Sequence, residues 1–136
     1  MMRKPLFALT CALCWLGSTG QLFANPLLGT WEWVNIKNSC KEIYIFGTEG
    51  SGHITSGEEV SVASYSISEQ ADAQGYYAVK LNILEDKGGK DCGGSVENNS
   101  GESYQKYLMF HPSGNLYVSC DSPDTSSCVG PFKRSQ

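Results

Sequence analysis

Histidine, basic charge and long apolar runs are all scarce in this chain. Its two histidines, His53 and His111, do not belong to a nucleophile motif such as Gly-x-Ser-x-Gly. Lysine and arginine total 10 against 14 acidic residues, so no basic surface for nucleic acid is expected. No apolar stretch reaches the roughly 20 residues that a membrane-spanning helix needs. These absences argue against a Ser/His/Asp hydrolase, a nucleic-acid-binding protein and a protein anchored by such a helix.

Metal-ligand spacing is also missing. The two histidines stand apart, and the only Cys-x-x-Cys pair is Cys11 and Cys14 near the N-terminus. The carboxylates in residues 85–91 do not follow the spacing of a calcium loop, and two lysines offset their charge. That loop is predicted to be solvated, as is the turn at Glu58 and Glu59. We therefore expect no metal, no other cofactor and no enzymatic activity.

The N-terminal segment has the layout of an export signal. Arg3 and Lys4 precede an apolar stretch at 6–16, and a plausible cleavage site ends at Ala24. We predict a signal peptide at 1–24 and a single domain at 25–136, in the periplasm or secreted. Losing Arg3 and Lys4 lowers the basic residues from 10 to 8 against 14 acidic ones, so the net charge changes from −4 to −6. Cys11 and Cys14 would leave with the apolar stretch.

Alternation with a period of two predicts strands through the rest of the chain. In the clearest strand Tyr77, Val79, Leu81 and Ile83 face one side. About eight such segments are joined by turn-sized polar stretches, and no amphipathic helix stands out. Because closure removes exposed sheet edges, we predict an all-β fold, a small antiparallel up-and-down β-barrel of about eight strands. A β-sandwich or an open sheet is the alternative.

The first predicted strand contains Gly29-Thr30-Trp31-Glu32-Trp33. Trp31 and Trp33 are two residues apart, so both indoles project to the same side. Each can bury roughly 150–250 Å², which makes this pair the expected anchor of the core. Gly29 leaves room for another backbone or a large ring to pass closely.

Gly29-Thr30-Trp31 resembles the Gly-x-Trp signature in the first strand of lipocalins and the wider calycin group. In that group a basic residue near the last strand often caps the tryptophan. The resemblance therefore implies a cation–π contact on Trp31 from Lys133 or Arg134.

The same resemblance implies a barrel that binds a small apolar molecule at an open end. We also expect the chain to be a monomer. Its ligand contacts would be inward aromatic residues, namely Trp33, Tyr44 and Tyr77. The alternative is a barrel filled by these side chains, which would then be core residues. The second functional hypothesis is an exported protein partner. Size, leader and cysteines resemble bacterial metalloprotease inhibitors, whose N-terminal segment, here 25–28, enters the cleft of a target hydrolase. A protective factor against a toxin belongs to the same class.

Four cysteines follow the predicted leader: Cys40, Cys92, Cys120 and Cys128. In an up-and-down meander they fall in the first, fifth and seventh loops, which all lie at one end of the barrel. In a small exported chain they are expected to form two disulfides rather than a zinc site. We favour Cys120–Cys128 across its own hairpin, with Cys40–Cys92 holding the long loop. Pairing Cys40 with Cys128 and Cys92 with Cys120 stays open.

Overall fold

The structure is a computed structural model that describes residues 22–135. Residues 1–21, which carry most of the predicted signal peptide together with Cys11 and Cys14, lie outside this range. Within residues 22–135, none of the helical structure has the length and apolar character needed to cross a bilayer.

Eight antiparallel strands form a closed barrel in which each strand pairs with its sequence neighbours and the last pairs with the first. The strands are β1 (Gly29–Val34), β2 (Lys41–Phe46), β3 (Ser51–Ser56), β4 (Glu59–Ile67), β5 (Tyr77–Asp86), β6 (Ser103–Phe110), β7 (Leu116–Cys120) and β8 (Cys128–Arg134). Across residues 22–135 the only helical element is a short 3-10 turn at Thr48–Gly50. The predicted all-β, up-and-down barrel is confirmed.

Both disulfides lie at one end of the barrel, which we call the disulfide end. Cys40–Cys92 joins the β1–β2 loop to the long β5–β6 loop, and Cys120–Cys128 links the ends of β7 and β8. These three loops lie at the same end because successive strands are antiparallel. The favoured pairing is confirmed, and the alternative pairing is wrong because each cysteine bonds within the favoured pair.

The opposite end, which we call the tryptophan end, is sealed around Trp31. This residue is fully buried, and its Nε1 donates a hydrogen bond to the carbonyl of Leu27 at 2.8 Å. The Trp31 ring makes edge contacts with Tyr117 and Phe110, with ring centroids 4.7 Å and 5.9 Å away. The segment before β1 therefore folds back over this end and closes it.

Arg134, rather than Lys133, supplies the cation–π contact, with its guanidinium carbon 4.2 Å from the centre of the Trp31 ring. Its guanidinium also donates to the carbonyls of Leu28 at 2.5 Å and Pro26 at 3.0 Å. Gly29 has φ +113°, and a Cβ there would lie 2.8 Å from Arg134 Nη1. The space at this glycine is thus occupied by a guanidinium, not by the backbone or ring that the sequence suggested.

The buried apolar side chains are concentrated toward the tryptophan end. The main cluster consists of Leu27, Trp31, Phe46, Tyr65, Val79, Leu108, Tyr117 and Phe132. A smaller cluster at Ile54, Ala63 and Ile83 lies toward the middle and the disulfide end. This uneven filling leaves space inside the barrel at the disulfide end.

Candidate functional site: the barrel cavity

A cavity of about 420 Å³ occupies the disulfide half of the barrel interior. All eight strands and the β5–β6 loop contribute side chains to its wall. From β2 to β7 the lining residues alternate along the strand because every second side chain faces inward, whereas the two β8 residues, Val129 and Phe132, are three positions apart. Small-molecule sites usually have roughly 300–1,000 Å³, so the volume suits a compact ligand.

Stacked aromatic rings form the floor of the cavity around Phe132. The Tyr117 ring is parallel to the Phe132 ring, with centroids 4.7 Å apart. Tyr44 meets Phe132 edge-on at 5.4 Å, and Trp33 lies at 6.0 Å with a 29° interplanar angle. These contacts fix the rings in place, so the floor is a rigid apolar surface.

Of the three sequence-predicted ligand contacts, two line this cavity. Trp33 and Tyr44 are part of its wall, whereas Tyr77 is not. Tyr77 lies at the start of β5, near the tryptophan end, and its ring packs edge-on against Phe110 at 5.6 Å. Alternation correctly placed Tyr77 with Val79 on the inward side, but it carries no information on height along the barrel.

Two carboxylates sit in one row across the cavity wall. Glu42 on β2 pairs with Ser56 on β3, and Ser56 pairs in turn with Glu59 on β4. Neighbouring strands lie about 4.8 Å apart, so the Cα atoms of Glu42 and Glu59 are separated by about 10 Å. All three side chains line the cavity. The row therefore places two acidic groups on adjacent parts of the wall.

Glu42 is held by hydrogen bonds on both carboxylate oxygens. The Tyr44 hydroxyl donates to Oε2 at 2.7 Å, and Ser56 Oγ donates to Oε1 at 3.0 Å. Ser56 Oγ also accepts the N–H of Cys92 at 3.0 Å. The Cys40–Cys92 bridge is thereby connected to a cavity carboxylate. Burial, together with the Glu42 charge, raises the pKa of Tyr44 well above its ordinary value, so this hydroxyl remains a donor.

Glu59 is buried, with only 8% of its surface exposed. Its Oε1 accepts a long hydrogen bond from Ser61 Oγ at 3.4 Å. Burial raises the pKa of the Glu59 carboxyl, and the nearby carboxylates of Asp86 and Asp91 raise it further. Each of these causes penalises the charged form, so a cation beside Glu59 would relieve them.

The sequence predicted solvated groups at two positions where the structure has buried ones. Glu59 lines the cavity rather than an exposed turn, although its neighbour Glu58 is exposed. Asp86, in the loop predicted to be solvated, is buried and accepts the N–H groups of Gly88 at 2.8 Å and Asn99 at 2.9 Å. The alternation of Glu59 with Ser61 along β4 is the signal that would have placed Glu59 inside.

The histidines lie apart from the cavity. His53 and His111 are both exposed, and His111 Nδ1 interacts with Ser113 Oγ at 2.9 Å in the β6–β7 turn. Among residues 22–135, no group of three or more histidine, cysteine, aspartate or glutamate side chains is arranged to hold a metal ion.

The chain matches no protein-family model. It likewise matches no curated protein and no solved structure.

Proposed function

We propose that this protein is an exported, non-enzymatic binding protein that holds a small, largely apolar molecule inside its barrel. The observation that carries the proposal is the cavity of about 420 Å³ with its aromatic floor. At about 30 Å³ per water-sized group, the volume has room for about 14 non-hydrogen atoms. Such a molecule would bury its apolar part against the rings around Phe132 and gain about 25 cal/mol per Å².

The two disulfides support both the compartment and the binding role. Disulfides persist in oxidising compartments, which agrees with export directed by residues 1–24. The Cys40–Cys92 bridge also orders the β1–β2 and β5–β6 loops beside the cavity. Loops that are ordered in advance lose less entropy when a ligand binds. The contact between Trp31 and Arg134 adds support for the lipocalin-like resemblance of β1.

A cavity-filling variant tests the proposal. The neutral fluorophore 1-aminoanthracene should bind the oxidised protein and gain fluorescence in the apolar cavity. Ser119 lines the cavity, so Ser119→Trp should fill it and weaken binding at least about tenfold, since a blocked site loses its contacts. Ser66 is exposed on β4, which makes Ser66→Trp the matched control. Equal binding by the two variants, or none by the unmodified protein, would contradict the proposal.

A second candidate is an exported protein partner, with this chain acting as an inhibitor or protective factor. The observation that favours it is exposed apolar surface at the disulfide end, where Ile36 is 96% and Val96 is 72% exposed. The N-terminal segment 25–28 is less suited to enter the cleft of a target, because Leu27 is fully buried and Asn25 donates to the Tyr65 hydroxyl at 2.9 Å. Ile36→Asp with Val96→Asp should abolish capture of a partner and leave 1-aminoanthracene binding intact.

A further inference from the structure

The charges around the cavity are unbalanced. Three carboxylates line it, from Glu42, Glu59 and Asp91, against the single cationic side chain of Lys106. Lys106 forms a salt bridge with the carboxylate of Asp121, which balances the positive charge of the lysine locally. The salt bridges found within residues 22–135 do not include any of the three cavity carboxylates. The cavity is therefore acidic, and its one lysine is already paired with a carboxylate outside the lining, Asp121.

Glu59 carries an unused hydrogen-bonding oxygen into this environment. Its Oε1 has the long bond from Ser61, while Oε2 has no hydrogen-bond partner among the described side chains and backbone groups and stays accessible from the cavity. A carboxylate that is nine-tenths buried without a cation is costly to keep charged. A ligand that brought a positive charge and an N–H donor would offset that cost.

Glu42 is prepared to accept such a ligand. Both of its oxygens are positioned by neutral donors, Tyr44 and Ser56, which leave the carboxylate charge uncompensated. A fixed carboxylate forms a charge-assisted bond with little rearrangement, and such bonds are stronger than neutral ones. Because Glu42 and Glu59 flank Ser56 in the sheet register, one cationic group can lie near both.

The aromatic wall points to the same ligand chemistry. Trp33, Tyr44 and Tyr104 line the cavity together with the carboxylates, while Phe132 and Tyr117 form the floor. Aromatic faces attract organic cations as well as packing against apolar chains. An organic cation would therefore be stabilised by the rings along its whole length and by the carboxylates at its charged end.

We propose that the cavity selects an organic cation, with an apolar body of about ten carbons on the aromatic floor and a protonated amine beside Glu42 and Glu59. This inference rests on the proposed function of the barrel as a ligand carrier. It assigns the charge that the ligand must have.

Three ten-carbon compounds that differ in their head group test the selection. Decylamine, decanol and decanoate compete with 1-aminoanthracene for the oxidised protein at about pH 7, where the first is cationic and the last anionic. Decylamine should bind at least about tenfold more tightly than decanol, and decanoate should be the weakest, because of the cavity carboxylates. Glu59→Gln and Glu42→Gln should each reduce the ratio of decylamine to decanol affinity.

Glu58→Gln is the matched control, since Glu58 is the exposed neighbour of Glu59 and its substitution changes the net charge equally. It should leave the affinity ratio unchanged, and near-ultraviolet circular dichroism establishes that each variant is folded. Equal affinities for the three compounds, tightest binding of decanoate, or an equal loss in Glu58→Gln would overturn the cation inference while the carrier function stands. Failure of the probe and all three compounds to bind would overturn the carrier function itself.

Discussion

Arg134 and Trp31 interact in two ways. They are register partners in the β1–β8 ladder, and the guanidinium carbon of Arg134 lies 4.2 Å from the centre of the Trp31 ring in a cation–π contact. The ladder between these strands has only two residue pairs, Trp31 with Arg134 and Glu32 with Lys133. Toward the disulfide end β1 and β8 flank a groove that includes Val34 and Pro131. The barrel is thus closed by a short ladder, by the hydrogen bond from the Ser135 N–H to the Thr30 carbonyl at 2.8 Å, and by the side chain of Arg134.

We expect Arg134→Ala to lower the free energy of unfolding by about 2–4 kcal/mol, because several charge-assisted hydrogen bonds and a cation–π contact are lost. The lost bonds include those to Pro26, Leu28 and Gly114. Urea unfolding of the oxidised protein measures the change. Lys133 is exposed, so Lys133→Ala should change the same quantity by no more than about 0.5 kcal/mol. Equal effects of the two substitutions would contradict the role given to Arg134.

The two disulfides should differ in their contribution to stability. They close segments with sequence separations of 52 and 8 residues. On chain-entropy grounds, removing Cys40–Cys92 should cost about 4 kcal/mol and removing Cys120–Cys128 about 2.5 kcal/mol. Urea unfolding of the two double cysteine-to-alanine variants measures both losses of stability. A larger loss on removal of Cys120–Cys128 would count against the chain-entropy explanation.

Removing the Cys40–Cys92 bridge should also weaken ligand binding. The N–H of Cys92 bonds to Ser56, and Ser56 holds Glu42 in the cavity. Loosening that loop therefore disturbs a carboxylate that lines the cavity. Competition with 1-aminoanthracene should show a lower affinity for decylamine than in the Cys120→Ala/Cys128→Ala variant. If both double variants bind decylamine equally well, the hydrogen bonds that connect the Cys40–Cys92 bridge to Glu42 do not contribute to ligand binding.

Glu59→Gln should stabilise the protein at neutral pH. Burial and the charges of Asp86, Asp91 and Glu42 raise the pKa of Glu59. A carboxyl whose pKa is higher in the folded state stabilises that state most below its unfolded pKa, and the contribution is lost as pH rises through the folded pKa. The advantage of Glu59→Gln over the unmodified protein should therefore grow from about pH 3 to pH 7. Thermal unfolding across this range measures it, with Glu58→Gln as the control that should show no such growth.

Tryptophan fluorescence should report directly on cavity occupancy. Trp33 lines the cavity, whereas Trp31 is buried at the sealed end. Binding of non-fluorescent decylamine should therefore shift the emission of Trp33 and leave that of Trp31 unchanged. The shift should disappear in Trp33→Phe, in which calorimetry should still detect binding. A shift that persists in this variant would place the ligand elsewhere.

The sequence by itself determined the fold class, the inward sides of the strands and the end at which the disulfides lie. Alternation is a local property of the pleated backbone, so it places Tyr77 and Val79 on one side without any knowledge of their neighbours. The order of antiparallel loops then brings Cys40, Cys92 and Cys128 to one end for any up-and-down barrel. These features needed only short-range pattern and connectivity.

Only the tertiary structure decided which inward side chains reach the cavity and which charges are buried. Tyr77 and Tyr44 both face inward, yet their heights along the barrel differ, and only Tyr44 lines the cavity. Glu59 follows a turn, so its position in the sequence predicts a solvated side chain. In the structure β2, β3 and the β5–β6 loop surround it, and it is buried. Burial and pKa depend on residues that are distant in sequence, so register, closure and loop placement had to be known first.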